Sequence, residues 1–477
     1  MNDIDIGKYF KPNLSEARKR KGEIEHLSFK LPKDLVNLGI EKKYIIQTYG
    51  CQANEADSEI IAGILEKMGH EKAETVEDSD LIILNTCAIR EKAENRIWGE
   101  LGRLSKYKKT NPNLLLIVAG CMPQQPIVVE KLLKTYPYVD IVMGTHNLYK
   151  LPDYLRQAYY NKERVIEVYS KEGEIIEHLP QVRNHQFKAW VNIMYGCDEF
   201  CTYCIVPYTR GKERSRLPED IIQEVKVLVS KGYQEVTLLG QNVNAYGKDL
   251  KIDYGLGELL YDLDKTGIPR IRYTTSHPKD LDLTTIKAMG TLKSVMSHLH
   301  LPVQSGSNKV LKKMNRHYTK EVYLEKIKLL KEHVPGISIT TDIIVGFPFE
   351  DESDFEMTLD LVEKVGFEGG FTFIFSPRTG TPAFSFEDST SQEEKKRRLL
   401  ALNELINKGF KTGNLRFLNQ EVEVLVDGPS KGNPDVLSGY SEHNKLVNFK
   451  GDQSLVGKIV KVKITEAKTW SLKGELV

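Results

Sequence analysis

At 477 residues the chain is too long for one hydrophobic core, and roughly two to four domains are expected. Charged residues make up 28% and hydrophobic residues 40%, an ordinary globular mixture, and the densest apolar run, LLLIVAG at 114–120, is strand-sized and excludes a membrane span. A net charge of +1 neither demands nor excludes a nucleic-acid partner, so any such site has to be argued locally. The first residues, MNDIDIGKYFK, are charged and lack an apolar stretch, so no secretory signal is expected and the chain is assigned to the cytoplasm. Thiols stay reduced there, and the six cysteines speak for metal or catalysis rather than disulfides.

Residues 1–40 read as a tail, with a solvated basic run in ARKRKGEIEH. From 41 to 160 the pattern alternates strand and helix. KYIIQTYG is a strand. NEADSEIIAGILEKMG is a helix with Ile60, Ile61, Ile64, Leu65 and Met68 on one face and Asn54 as N-cap. LIILNT is the second strand, Arg90–Lys109 the next helix, and LLLIVAG and VDIVMG complete the series. Such alternation predicts a doubly wound parallel sheet. Residues 161–186 read as a linker. From 187 to 412 a second α/β series carries six strand candidates, KAWVNIMYG, EVTLLGQN, IRYTTSH, HLHLPVQ, ISITTDIIVGFP and GFTFIFSP. Six units fall short of the eight of a closed barrel and predict an incomplete (β/α)6 barrel with an open side. Residues 413–477 alternate apolar and polar residues between Gly and Pro turns, which predicts a small antiparallel β-barrel of OB-like type. Lys458, Lys461, Lys463, Lys468 and Lys473 place cations on it, and Lys458, Lys461 and Lys463 are candidate RNA contacts.

Both sets of cysteines come in threes. Cys51, Cys87 and Cys121 each stand one step past a strand of the first sheet. Ligands of open α/β sheets gather at the carboxyl ends of strands, so these three thiols should converge on one rim. Free cysteines are often simply buried, but three of three at strand ends favours a cluster. Cys197, Cys201 and Cys204 stand in MYGCDEFCTYCIVPYTRG as C-x3-C-x2-C. Three thiolates suit an iron–sulfur cubane with one iron left open. Zinc is the rival, but no fourth cysteine or suitably spaced histidine follows Cys204, and the intervening strand carries His185 to the far end of the sheet.

The pattern C-x3-C-x-Φ-C, with Tyr203 at Φ, resembles the radical S-adenosylmethionine (SAM) family. YGCQANEADS, LNTCAIREKAENR and AGCMPQ are similar to the N-terminal domain of the methylthiotransferases of that family. LLGQNVNAYG, YTTSHP, LHLPVQSGS and DIIVGFP resemble their radical-SAM core, and the C-terminal barrel resembles their RNA-binding TRAM domain. NTCAIREKA, VPYTRG, LLGQNVNAY and LHLPVQSGS together resemble the members that add a methylthio group to C2 of isopentenyladenosine beside the anticodon of tRNA. Two departures stand out. Ala53 occupies a usual methionine, and Phe349 replaces a turn glycine, which predicts a negative φ there.

The resemblance implies two 4Fe–4S clusters and SAM as both methyl donor and radical source. The Cys197–Cys201–Cys204 cluster would cut SAM to a 5′-deoxyadenosyl radical. The Cys51–Cys87–Cys121 cluster would hold the sulfur that is methylated and transferred. It implies Tyr203 against the SAM adenine and Gly240, Gln241 and Asn242 at its amino group. Ser276, Gln304 and Ser305 would face its methionyl or ribose groups, with Asp342 and Arg378 as further candidates. Partners would be the isopentenylated tRNA, an electron donor and a sulfur donor; a monomer and no membrane are expected. Arg210, Lys212, Arg214 and Arg216, just after the radical loop, are either a solvated basic loop or phosphate contacts. His298 and His300 read as structural or SAM-proximal, not as metal ligands. Sibling activities on threonylcarbamoyladenosine in tRNA or on an aspartate of a ribosomal protein would share both clusters. A zinc-stabilised RNA-binding protein is the remaining alternative, and an electron carrier would want fully ligated clusters.

Overall fold

A computed structural model describes residues 24–88, 91–168 and 174–477, with the side chains of 91–93 excepted. The basic run at 18–21 and Ile89 and Arg90 of the second cysteine motif lie outside the described residues. The chain forms two compact units. The first comprises residues up to Asn184 together with Met194–Asp198 and Cys204–Arg216. The second comprises His185–Ile193, Glu199–Tyr203 and Leu217–Val477.

The first unit is built on a six-stranded parallel sheet. Its strands, in spatial order, are Glu71–Lys72, Lys43–Tyr49, Leu81–Thr86, Leu115–Gly120, Ile141–Met143 and Val165–Glu167. The middle strands are continuous apolar runs because both faces are covered. Leu81 and Ile83 pack on one side with Ile60, Ile61, Ile64, Leu65 and Met68. Ile82 and Leu84 pack on the other with Ile97, Leu101, Leu104 and Leu132. Helices Gln52–Lys67 and Leu151–Asn161 therefore cover one face and Glu91–Thr110 and Pro126–Thr135 the other, the doubly wound arrangement.

Three local expectations are corrected. The segment expected as a linker contributes the sixth strand, Val165–Glu167, and a second strand, Glu174–Glu177. Glu174–Glu177 pairs in parallel with Glu25–Ser28, which lies in the expected tail. Asn54 is not the N-cap of its helix. Cys51 is, and Asn54 lies in the first turn, where its Oδ1 accepts from the Cys51 N–H at 3.3 Å.

In the second unit six parallel strands follow one another in chain order. Lys188–Asn192, Glu235–Leu239 and Arg270–Tyr273 pair as one run, and His298–His300, Ser338–Val345 and Gly370–Ile374 as another. The runs meet where the Ile271 N–H donates to Ser294 O at 2.6 Å and the Met296 N–H to Ile271 O at 3.0 Å. Among the described residues no ladder joins the first of these strands to the last, so the barrel is open. Five C-terminal strands, Glu421–Ser430, Asn433–Ser441, Leu446–Lys450, Ile459–Ala467 and Leu472–Leu476, close into a barrel around Val424, Val447, Phe449 and Ile464. The buried Arg270 fastens this barrel to the third strand, donating to Tyr440 O and Glu423 O at 2.9 Å each.

Phe349 has φ +75°, not the negative value expected from the loss of glycine. The strained backbone is kept, and the ring rests 5.6 Å from that of Phe386 under the ammonium of Lys313, 4.5 Å from its centroid. Among the described residues no helix is long and apolar enough to cross a membrane.

Gly120 ends the third long strand of the first sheet with φ +100°, and a Cβ there would sit 2.4 Å from Thr86 O. Gly120→Ala is expected to destabilise the protein by about 1–3 kcal/mol or more, read from chemical denaturation, because it adds both positive-φ strain and a backbone clash. An unchanged midpoint would contradict this geometry.

Candidate functional site

Cys51, Cys87 and Cys121 follow the carboxyl ends of three adjacent parallel strands, and the structure brings them to one rim. The turns that present them are pinned by amides. Asn54 Nδ2 donates to Asn85 Oδ1 and Thr86 O, each at 3.2 Å. Asn85 Nδ2 in turn donates to Asn54 O at 2.8 Å and Ser58 Oγ at 2.9 Å. The Cys121 N–H donates to Thr86 O at 2.8 Å. All six cysteines are free thiols, and Cys87 and Cys121 are buried. A hydrogen bond with the Cys87 thiol holds the Cys51 thiol well below its usual range, with Arg210 adding to the effect. Burial pushes Cys121 up to about 11 against the pull of Arg210. Three converging thiols with a guanidinium beside them form a donor set suited to a cubane that leaves one iron open.

Cys197, Cys201 and Cys204 sit on the loop after the strand Lys188–Asn192. Cys197 and Cys204 belong to the first unit and Cys201 to the second. Gly196, at φ +80°, lets the backbone turn where a Cβ would meet Lys212 O at 2.0 Å. The Cys197 N–H then donates to Gly211 O at 3.1 Å, and Met194–Tyr195 pairs with Arg214–Ser215. Behind Cys204, Ile205 and Tyr208 pack on Cys121 and Ala88, so the segment following one trio lies on the other. In the second unit the buried Arg316 donates from Nη1 to Cys201 Sγ at 3.4 Å, from Nε to Tyr318 Oη at 3.0 Å and from Nη2 to Pro302 O at 2.9 Å. Sequence reasoning missed this arginine, and no motif signals it.

The other candidates on the open barrel divide by environment. Tyr203 packs edge-on against Phe347, with ring centroids 6.4 Å apart. Gly240, Gln241 and Asn242 follow the strand Glu235–Leu239; Asn242 Nδ2 donates to Asp280 Oδ2 at 2.6 Å while its Oδ1 lacks a partner. Ser276 Oγ and Asn244 Nδ2 are likewise buried without a hydrogen-bond partner. Buried polar atoms left unsatisfied by the chain fit a polar cofactor seated at these strand ends. Gln304 is held at φ +69°, its N–H donating to Asp342 O at 2.9 Å. Ser305 differs: its hydroxyl lies 3.4 Å from Thr358 Oγ1 and accepts from the Ser307 N–H at 3.2 Å, a turn-bracing role. Asp342 Oδ1 lies 3.4 Å from His300 Nε2. Arg378 is half-buried in the loop after the last strand. His298 and His300 both bond the Thr340 hydroxyl, at 3.1 and 3.0 Å. Among the described residues the histidine that meets buried carboxylates at metal-binding distance is His277, with Glu199 and Asp280. Lys279 and Lys248 already neutralise those carboxylates, and burial keeps His277 uncharged.

Three of the four basic residues after the radical loop are turned inward. Arg210, Arg214 and Arg216 are 5%, 4% and 7% exposed. Arg216 Nε donates to Glu177 Oε2 at 2.7 Å, and Arg214 donates to Glu174 O at 3.2 Å. Arg210 donates to Asp57 and Cys121. These guanidiniums are committed to internal acceptors, so neither the solvated loop nor a row of phosphate contacts describes them; Lys212 is half-buried. Lys458, Lys461 and Lys463 are exposed, but Lys461 lies opposite Glu423, and Lys463 between Glu421 and Glu475, which offsets their field.

Residues 43–144 match the UPF0004 family, 191–362 the radical SAM superfamily and 415–477 the TRAM domain. The chain is 55% identical over 482 residues to the tRNA-2-methylthio-N(6)-dimethylallyladenosine synthase of Oceanobacillus iheyensis, covering 99% of this chain and 93% of that one. It is 54% identical over 484 residues to the enzyme of the same name from Bacillus subtilis, covering 100% and 95%. Among solved structures the radical S-adenosylmethionine methyltransferase TsrM from Kitasatospora setae aligns with TM-score 0.52 at 12% identity over 72% of this chain and 77% of that one, a likeness of fold alone. The chain belongs to the radical SAM methylthiotransferases, among the tRNA-2-methylthio-N(6)-dimethylallyladenosine synthases.

Proposed function

We propose that this protein methylthiolates C2 of N6-isopentenyladenosine beside the anticodon of tRNA, using SAM and two 4Fe–4S clusters. The observation that carries the reading is identity of 55% spread over 99% of the chain, with both cysteine trios inside the matched length. We assign Cys197, Cys201 and Cys204 to the cluster that cleaves SAM, and Cys51, Cys87 and Cys121 to the one that carries the transferred sulfur. When bound, these groups and SAM supply the radical that opens an unactivated C–H bond and the methylated sulfur that replaces the hydrogen, chemistry outside the reach of a side-chain base.

The chain's own residues bind and orient. Tyr203, Asn242 and Ser276 offer an aromatic edge and unsatisfied polar atoms to SAM, with Gly240, Gln241, Gln304, Asp342 and Arg378 around them. Ser305 supports this set through the turn it braces. Arg316, anchored by hydrogen bonds to Tyr318 and Pro302, orients Cys201 through a third. The TRAM barrel, with Lys458, Lys461 and Lys463 exposed, is assigned to the tRNA. Electrons and sulfur come from separate donors, and the protein acts as a monomer in the cytoplasm.

The decisive assay supplies anaerobically reconstituted enzyme with SAM, dithionite, a sulfur source and isopentenylated tRNA, followed by mass spectrometry of digested nucleosides. A methylthio product on isopentenyladenosine is expected; a product on threonylcarbamoyladenosine or a ribosomal protein alone would overturn the substrate assignment. Cys201→Ala is expected to abolish SAM cleavage. Cys87→Ala is expected to keep cleavage and make no thiolated nucleoside. Ser276→Ala removes a buried hydroxyl with no partner, so thermal stability should hold or rise while SAM affinity falls by about 1–3 kcal/mol, roughly fivefold to 150-fold. Loss of stability with unchanged affinity would contradict its role.

A further inference from the structure

A guanidinium taken out of water needs negative charge around it. Arg210 donates from Nη2 to Asp57 Oδ2 at 2.6 Å and from Nε to Cys121 Sγ at 3.1 Å. Asp57 is itself buried, on the helix that Cys51 caps. Arg210 follows the helical turn Val206–Thr209, which begins just past Cys204. One side chain thus joins a carboxylate to one thiol of the Cys51–Cys87–Cys121 rim, and it comes from the segment that leaves the other trio. Asp57 and Arg210 also line a cavity of about 60 Å³, with His146, Arg214, Ile60 and Leu148 among its other walls. The pair therefore borders both a thiol of the rim and a small cavity of mixed lining.

We propose that Arg210 is a positioning residue that raises the reduction potential of the cluster held by Cys51, Cys87 and Cys121, with Asp57 opposing it. The inference rests on reading that trio as cluster ligands. Reduction adds one negative charge to a cluster. A fixed cation beside it favours the reduced form, and in a poorly screened interior the effect is large. A hydrogen bond to a cysteinyl sulfur withdraws electron density and acts in the same direction. Asp57 carries the opposite charge against a neighbouring nitrogen of the same guanidinium. The two residues hold each other in place, but their charges push the potential in opposite directions. A scaffold role predicts parallel effects on removing either one; an electrostatic role predicts opposite ones.

The test uses the full chain with Cys197, Cys201 and Cys204 all changed to Ala, reconstituted anaerobically with iron and sulfide so that only the other cluster is present. Dithionite titration with redox mediators, followed by electron paramagnetic resonance, gives its potential. Arg210→Gln is expected to move the potential to a more negative value and Asp57→Asn to a more positive one. Arg210→Lys should recover part of the loss, and the Asp57→Asn, Arg210→Gln double variant should lie between the single variants. Should Arg210→Gln fail to hold a cluster, Asp57→Asn decides alone, since an unchanged or lowered potential there overturns the inference. Equal-sign shifts, or none, in loaded variants overturn it as well. Absence of iron and sulfide from the parent would instead overturn the ligand assignment beneath it.

Discussion

Thiolates buried at strand ends need cations, and each trio of this protein meets a buried arginine. Arg210 reaches Cys121 in the first unit, and Arg316 reaches Cys201 in the second. The two differ in how their charge is balanced. Arg210 shares a buried carboxylate with the thiol, whereas the bonds that Arg316 makes beside its thiol contact go to a carbonyl and a phenol, neither of them charged. Cys201 therefore sits beside a cation with less internal compensation than the one beside Cys121. A charge-assisted hydrogen bond fixes orientation as well as energy, and the remaining bonds of each guanidinium set where its thiol contact lies.

Parallel topology does the rest of the placing. Every strand of the first sheet points the same way, so every strand-to-helix turn opens on one rim, and a position one or two residues past each strand is enough to bring three distant cysteines together. The same rule puts Asn242, Ser276 and Gln304 at the carboxyl ends of the open barrel's strands. Backbone strain marks these ends: Thr275 and Gln304 hold φ near +69°, a conformation that persists only where surrounding contacts over-determine it.

Strand runs buried on both faces, and cysteines one step beyond them, were legible because period and chain order encode them directly. What lay hidden depends on partners far away in sequence. Arg210, Arg214 and Arg216 look like a basic loop until Asp57 and Glu177 are brought beside Arg210 and Arg216 by folding. The strand Val165–Glu167 is too short to show a period and exists because Ile141–Met143 offers it an edge. Asn54 carries the signature of an N-cap, but a side chain at the third helical position that reaches back to the cap backbone gives the same letter a different place. Phe349 keeps a glycine-like φ because its ring gains aromatic and cationic neighbours that offset the strain.

The central claim is that two trios of thiolates each hold a four-iron cluster with one open corner. Iron, acid-labile sulfide and zinc measured on the same oxygen-protected, reconstituted protein test it most directly. The account requires about eight irons and about eight sulfides per chain, with zinc near zero. About two zinc ions and no sulfide would contradict it.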